Sequence, residues 1–361
     1  SLQSALDEWR GRSDHNCLSD YSFHMAVTDF NEDTKKEIQQ FIEEEGITSF
    51  KTFMAYKGAL MIDDRQMVGL MEEVKKHGGL INVHATNGDM IDYLVQKHRE
   101  EGKLSPLYHY LSQPEVTEAE ASERFVDMAN YTHCPGYIVH LTCEGALNAV
   151  RDNNRHNQKV FAETCIQYLL LDASLYEQNF DGAKWVMSPP LREKKDQEAL
   201  WAGINQGLVQ VVATDHCPFK WEQKLMGKDD FSKIPNGHPA IEHRVELLFS
   251  EGVRKGRITL NKFVEVLSTN PAKIFGMFPR KGCIAPGADA DIVLFDPNQE
   301  HTISVDTHHM NTDYSAYEGW KLTGKCKTVI LRGNVVIDEG ECLAERGYGK
   351  YIRRNKVSQL I

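Results

Sequence analysis

Four polar residues stand at or near the ends of short apolar runs, where a strand of a parallel sheet would end. They are Lys51, His84, His140 and Asp215. In parallel barrels the reactive side chains come from the carboxyl ends of the strands and from the loops that follow. A single strand histidine is more often a hydrogen-bonded core residue, and a strand-end aspartate often only caps the next helix. The four together predict a divalent-metal site.

Lys51 carries the most unusual chemistry of the four. It lies between Phe50 and Phe53 in an apolar run, where a cation must find an anion, lose its charge or reach water. An ammonium cannot bind a metal, whereas addition of CO₂ would give an anionic carbamate that bridges two metal ions. With imidazole and oxygen ligands, zinc is the first candidate, and manganese, iron or cobalt are alternatives. Such a site lowers the pKa of bound water to about 7.

The elements that must position these residues alternate between short β-rich runs and longer segments of helical periodicity, as in parallel βαβ units. The predicted strands are 20–27, 48–56, 80–84, 137–141, 159–164 and 209–214, and the predicted helices include 34–45, 64–77, 122–131 and 260–267. After about Gly276 the pattern changes to strands separated by glycine and proline, with a hairpin through Arg332 and Gly333. We therefore expect a catalytic (β/α) barrel over 1–278, a small β-sandwich part over 279–345 and a C-terminal surface arm over 346–361.

Composition and charge exclude several classes of function. The 361 residues carry a formal net charge of −11 without a basic block, so nucleic acid is not an expected partner. No apolar run approaches the roughly 18 residues that a membrane span needs. The eight cysteines never fall two to four residues apart, which excludes a cysteine-based zinc ribbon and indicates reduced thiols. We expect a cytoplasmic enzyme that acts on a small molecule.

Seven short motifs combine the candidate site residues with characteristic neighbours: FKTFMAYK (50–57), VHATNGD (83–89), VHLT (139–142), MSPPLR (187–192), ATDHCPF (213–219), IPNG (234–237) and GADADIV (287–293). These motifs resemble those of the dihydropyrimidinase and D-hydantoinase family of cyclic amidohydrolases. The resemblance runs in order from about Ser1 to Arg354. It implies a TIM-like (β/α)₈ barrel with a small β-sandwich domain, assembled as a homotetramer or dimer.

The resemblance also implies roles for individual residues. Lys51 corresponds to the carboxylated lysine (N6-carboxylysine) that bridges two divalent metal ions, expected to be zinc. His84 and His140 correspond to ligands of the second metal, and Asp215 to a ligand of the first metal that also acts as general base and acid. Tyr56 corresponds to the tyrosine that polarises the substrate carbonyl.

The implied substrate contacts lie in three further segments. Ser188 and Asn236 correspond to positions whose backbone groups hold the amide edge of the ring. Leu60 and Met61 would lie near its exocyclic substituent. The implied reaction is hydrolytic ring opening of 5,6-dihydropyrimidines, such as dihydrouracil, or of 5-substituted hydantoins, giving N-carbamoyl amino acids. A role in pyrimidine breakdown would follow.

The chain departs from the family pattern in two places. No His-x-His pair precedes Lys51 near the start, so the six predicted strands correspond to the third to eighth strands of the barrel. We expect the first metal's histidine pair upstream of Ser1 in a longer protein; the alternative is a truncated relative that cannot hold that metal. Thr86 stands where the family usually has glutamate.

Two other interpretations of function stay open. One is a non-catalytic dihydropyrimidinase-related scaffold, against which the retained metal-ligand types argue; the other is a sister enzyme, allantoinase or dihydroorotase. The remaining histidines are interpreted as structural or exposed: His24, His133, His216, His238, His243, His308 and His309. Strand alternation after Asp215 turns His216 away from the site.

Overall fold

The computed structural model describes residues 1–153 and 160–357. Six strands form one parallel sheet in sequence order, as the predicted strands require. They are β1 (Met25–Ala26), β2 (Ser49–Phe53), β3 (Leu80–His84), β4 (Gly136–Ile138), β5 (Val160–Cys165) and β6 (Val211–Ala213). Residue 159, placed at the start of a predicted strand, lies outside the described residues. The fold is that of a TIM-like (β/α) barrel with a separate small β domain.

Helices follow the strands and cover the sheet. They are α1 (Leu2–Ser13), α2 (Glu32–Gln40), α3 (Asp64–His77), α4 (Gly88–Glu100), α5 (Leu107–Leu111), α6 (Glu115–Thr132), α7 (Glu144–Asn153), α8 (Ile166–Leu170), α9 (Lys194–Gln206), α10 (Trp221–Lys224), α11 (Arg244–Leu248), α12 (Leu260–Val264) and α13 (Asn270–Ile274). Single π turns extend α2, α11 and α12 at Phe41–Glu45, Phe249–Val253 and Glu265–Thr269. No helix in the described part of the chain is long and apolar enough to cross a membrane.

Helix α3 shows how local sequence sets an element. Asp63 caps its first turn, where the Asp63 and Gln66 side chains form a reciprocal capping box, and Gly78 ends it in the left-handed conformation. The buried stripe of α3 includes Met67 and Leu70, which pack on the sheet. The boundaries agree with the predicted helix 64–77 because both ends have strong capping signals.

The central strands β3 and β4 of the parallel sheet are buried on both faces, as in parallel sheets with helical crossovers. All five residues of β3 are buried. The pairing of β2 with β3 places Lys51 beside Asn82 and Phe53 beside His84. Strand order and register therefore bring the polar ends of successive strands to the same edge of the barrel.

A second sheet is antiparallel, in the order β10-β9-β8-β7. It consists of β7 (Ile292–Thr302), β8 (Lys321–Leu331), β9 (Asn334–Asp338) and β10 (Glu341–Cys342). Arg332 and Gly333 both have positive φ, at 49° and 83°, as the two central residues of a tight hairpin turn require. The expected hairpin is therefore present, and the proposed boundary at 278/279 lies between α13 and β7.

The segment predicted as a surface arm is instead packed against the barrel. Tyr351 pairs with Tyr21 in a parallel bridge, and the Val357 amide donates to the Gly78 carbonyl at 2.9 Å. The Ile352 and Val357 side chains are buried. The surface interpretation was wrong for these residues, because their apolar side chains face the barrel and Arg354 between them is buried too, with its guanidinium donating to the Phe23 carbonyl. Residues 358–361 of the predicted arm lie outside the described residues.

Candidate active site

Lys51, His84, His140 and Asp215 line one cavity at the carboxyl edge of the parallel sheet, with a volume of about 430 Å³. Lys51 lies within β2 and His84 ends β3, while His140 and Asp215 each follow their strand by two residues. The residues predicted to form the metal site therefore reach the same cavity from four strands. Tyr56, Ser188 and Asn236 line this cavity as well.

The buried surroundings of the Lys51 amine determine its protonation state. Its Nζ is shielded from solvent and makes no hydrogen bond with any described residue. Burial lowers the pKa of Lys51 to about 7, against the opposing effect of the Asp215 and Glu163 carboxylates. An amine that loses its proton this easily is available for addition of CO₂ at neutral pH, because the free base is the nucleophilic form.

The two site histidines face one another. His84 Nδ1 and His140 Nε2 are 2.8 Å apart, and His84 Nε2 contacts the Thr86 hydroxyl at 2.9 Å. Burial lowers the pKa of both histidines well below the ordinary value, with further effects from neighbouring positive charge. Both rings are therefore neutral and present lone pairs, as metal ligation requires.

Asp215 lines the cavity. The surrounding protein raises the pKa of its carboxyl, and the charge on Lys51 opposes that rise. Its φ is 46°, and Tyr56 and His140 also have positive φ, at 66° and 42°. Non-glycine residues in this region cost of the order of 1–3 kcal/mol each and occur preferentially at functional sites. Three of the predicted site residues share this strain.

Tyr56 stands at the wall of the cavity, where its ring lies 5.0 Å from that of His84 and 5.9 Å from that of Phe53. Burial raises the pKa of Tyr56 well above its ordinary value, and a hydrogen bond with the Ser188 side chain opposes this only in part. The Tyr56 hydroxyl therefore stays protonated and can donate. Gln113 Nε2 donates to Ser188 Oγ at 3.2 Å, which holds the serine in turn.

Glu163 and Cys217 also line the cavity, and sequence reasoning did not select them. Glu163 accepts from the Tyr137 hydroxyl at 2.7 Å and from the His140 amide at 3.3 Å. Burial raises the pKa of Glu163 to about 7. A glutamate inside a strand of otherwise apolar or small residues was the signal available for it, whereas Cys217 had none beyond its distance of two residues from Asp215.

The residues set aside as structural occupy varied surroundings. His24 lies just before β1 and lines the cavity, bonded to Ser49 Oγ at 2.6 Å and to Asn82 Nδ2 at 2.9 Å. His216 Nδ1 instead accepts from the amides of Ala240 and Ile241, on the side away from the cavity.

One cluster outside the cavity has the residue types of a metal site. Among the described residues, Asp20, Asp289 and Asp291 form a group whose potential ligand atoms all lie within 4.8 Å of one another. Three cations, Arg280, Lys281 and Arg332, form ion pairs with this cluster. The carboxylates are therefore neutralised by side-chain cations, and the cluster joins the β domain to the barrel.

A second compartment of about 230 Å³ adjoins the site and shares Tyr56, His84, Ser188 and Asn236 with it. Thr86 lies in its wall, and so do residues of α4 and α5. Leu60 and Met61, expected near the exocyclic substituent, are not among the described residues that line either compartment.

Comparison with known proteins shows the family of the chain. The amidohydrolase family model matches residues 15–336. The chain is 46% identical to a D-hydantoinase of Geobacillus stearothermophilus, covering 100% of this chain and 77% of the relative. It is 45% identical to a D-hydantoinase of Streptomyces coelicolor, covering 98% of this chain and 76% of the relative.

A solved structure has the same fold as this chain. The crystal structure of dihydropyrimidinase from Brevibacillus agri superimposes with a TM-score of 0.97 at 45% identity, covering 99% of this chain and 78% of the other. The chain belongs to the amidohydrolase family and, within it, to the hydantoinases and dihydropyrimidinases, which are cyclic amidohydrolases.

Proposed function

We propose that this protein opens cyclic amides by hydrolysis, converting 5,6-dihydropyrimidines such as dihydrouracil, and 5-substituted hydantoins, to N-carbamoyl amino acids. The observation that carries the proposal is the convergence of Lys51, His84, His140 and Asp215 on one cavity. The hydantoinase and dihydropyrimidinase names of the relatives favour this reaction over a scaffold role, allantoinase or dihydroorotase.

The residues present fit a pair of divalent metal ions, for which zinc is the first candidate. The fit rests on Lys51 Nζ and His140 Nδ1, which have no hydrogen-bond partner among the described residues, and on the close approach of the two neutral imidazoles at 2.8 Å. Lys51, as a carbamate, would bridge the ions, His84 and His140 would hold one, and Asp215 would contribute to the other. When bound, such ions make water a strong nucleophile at neutral pH and polarise the carbonyl under attack.

The chain's own groups then move protons and orient the ring. Asp215 takes a proton from the attacking water and delivers it to the ring nitrogen as the carbon–nitrogen bond breaks. Its raised pKa, caused by burial, suits both roles. Tyr56 donates a hydrogen bond to the carbonyl oxygen as negative charge develops there. Backbone groups of Ser188 and Asn236 hold the amide edge.

We further propose that catalysis belongs to residues 1–278, since the whole constellation lies there, and that the protein works in the cytoplasm as a homo-oligomer, a dimer or a tetramer. All eight cysteines are free, which supports a reducing compartment.

The decisive experiment assays dihydrouracil and 5-monosubstituted hydantoins with the purified metal-loaded protein, together with metal analysis. Lys51→Ala should lose ring opening and most of the metal. Lys36→Ala is the matched control, because Lys36 is exposed on α2, pairs with Asp33 and lines neither compartment. Full activity and metal content in Lys51→Ala would exclude the bridging role. A wild-type protein with less than one metal per subunit and no ring opening would favour the scaffold.

A further inference from the structure

Lys224, the last residue of α10, is a fully buried cation with an unusual set of partners. Its Nζ donates to the main-chain carbonyls of Val186 at 2.9 Å, Pro235 at 2.7 Å and Gly237 at 2.7 Å. No carboxylate among the described residues forms an ion pair with it, and burial lowers its pKa to about 7. An ammonium has three donors and no acceptor, and here all three donors are used on the backbone.

The three carbonyls belong to the two segments that carry Asn236 and Ser188. Pro235 and Gly237 flank Asn236, and Val186 precedes Ser188 by two residues. The Val186 carbonyl also accepts from the Gly237 amide at 3.0 Å. The Lys224 side chain therefore links the two segments through hydrogen bonds beside the cavity.

The bonds determine how the backbone of Asn236 points. In a trans peptide unit the N–H and C=O point in opposite directions. The Pro235 carbonyl faces Lys224, so the Asn236 N–H of the same unit faces away. The Gly237 N–H faces Val186, so the Asn236 carbonyl faces away too. Within the described part of the chain neither Asn236 backbone group has a hydrogen-bond partner, and Asn236 lines both compartments of the cavity.

A free donor and a free acceptor on adjacent peptide units match the edge of a ring amide, which presents its own N–H and C=O side by side. We propose that Lys224 is a positioning residue for substrate binding, because its ammonium holds the peptide units around Asn236 so that they meet the amide edge of a cyclic amide. This inference rests on the proposed function. Lys224 itself does not touch the substrate.

Lys224→Met, which keeps the length of the side chain but removes its donors, tests the proposal. We expect KM for dihydrouracil to rise about tenfold to a hundredfold, since two substrate hydrogen bonds are weakened. The turnover number should change much less, because these bonds hold substrate and transition state alike. Metal content should stay at the wild-type level. Lys224→Gln, which retains two donors, should lie between the two proteins.

Lys281→Met is the matched control. Lys281 is also largely buried, with 11% of its side chain exposed, but it pairs with Asp20 and Asp291 away from the cavity. This change should lower the midpoint of unfolding without raising KM. The comparison separates loosening of the substrate site from general destabilisation.

A folded Lys224→Met protein with wild-type KM would overturn the inference and leave the proposed function standing. If that variant does not fold, Lys224→Gln decides in the same way: a raised KM supports the inference and an unchanged KM overturns it. A wild-type protein that neither binds nor opens a cyclic amide, by calorimetry and assay, would overturn the proposed function and this inference with it.

Discussion

Replacing Tyr56 by phenylalanine removes a single hydroxyl from the wall of the cavity and keeps the ring. The ring would still pack against His84 and Phe53, at 5.0 and 5.9 Å, so the left-handed backbone at this position keeps its support. The hydroxyl is a protonated donor in a buried place, because burial raises the pKa of Tyr56. Loss of one such donor to a developing oxyanion costs about a hundredfold to a thousandfold in kcat, or roughly 3–4 kcal/mol.

The cost in stability should be much smaller. Tyr56→Phe gives up one hydrogen bond with the Ser188 side chain, which contributes about 0.5–1.5 kcal/mol net. We expect kcat for ring opening to fall by the amount given above while KM, metal content and the unfolding midpoint stay close to wild type. Steady-state kinetics on dihydrouracil, metal analysis and denaturant unfolding measure the three quantities.

Tyr137→Phe is the matched control, since Tyr137 also lines the cavity but its hydroxyl is bonded to Glu163 at 2.7 Å. It should lose far less in kcat than Tyr56→Phe. If Tyr56→Phe raised KM at unchanged kcat, its hydroxyl would serve ground-state binding. Equal losses of kcat in the two variants would refute the assigned role altogether.

Three further predictions concern the surroundings of the site. Thr86→Val should weaken metal binding about tenfold to a hundredfold, measured by competition with a chelator, because the threonine hydroxyl contacts His84 Nε2 at 2.9 Å and orients the ring. Glu118→Ala should lower the free energy of unfolding by about 3–5 kcal/mol. The Glu118 carboxylate lies 3.0 Å from the buried Arg192 guanidinium, and its removal leaves that charge without its ion-pair partner. Burial lowers the pKa of His109 to about 4, below the ordinary value of about 6.5. The unfolded chain therefore binds more protons between these values, and about 3 kcal/mol of stability present above pH 6.5 should be lost as the pH falls to 4.

Each of these predictions has a control. Glu198 forms an exposed ion pair with Arg257, so Glu198→Ala should change the free energy of unfolding by less than about 1 kcal/mol. If Glu118→Ala lost no more stability than Glu198→Ala, the buried-charge argument would be contradicted. His109→Gln should remove about 3 kcal/mol of this pH dependence, while His24 and His238, whose pKa values burial lowers to about 3, retain their share; an unchanged slope would contradict the role of His109. Wild-type metal affinity in Thr86→Val would mean that packing alone orients His84.

The six parallel strands were predictable because each combines β-rich residues with a polar end, and the pattern repeats. Helix α3 was predictable to the residue because of its caps. Strand β1 is shorter than expected, Met25–Ala26 against 20–27, because Tyr21 pairs with Tyr351, more than 300 residues away. Such a contact leaves no local trace in the sequence.

The site residues also divide into those that the sequence predicts and those that it does not. The metal-ligand types stand at strand ends and could be selected from the sequence, whereas Lys224 could not. Its partners are main-chain carbonyls of distant residues, and any residue type offers a carbonyl. Glu163 could have been found, because a glutamate inside a predicted strand of otherwise apolar or small residues stands out in the sequence.

The left-handed backbone at Tyr56, His140 and Asp215 has a consequence for any attempt to improve the protein by selection. Glycine or asparagine at these positions would relax the main chain, so a screen for heat resistance alone would reward the removal of the reacting side chains. Variants enriched in that way would be robust and inactive. Gains in robustness that preserve turnover should be sought on the outer helices, with activity scored in every round.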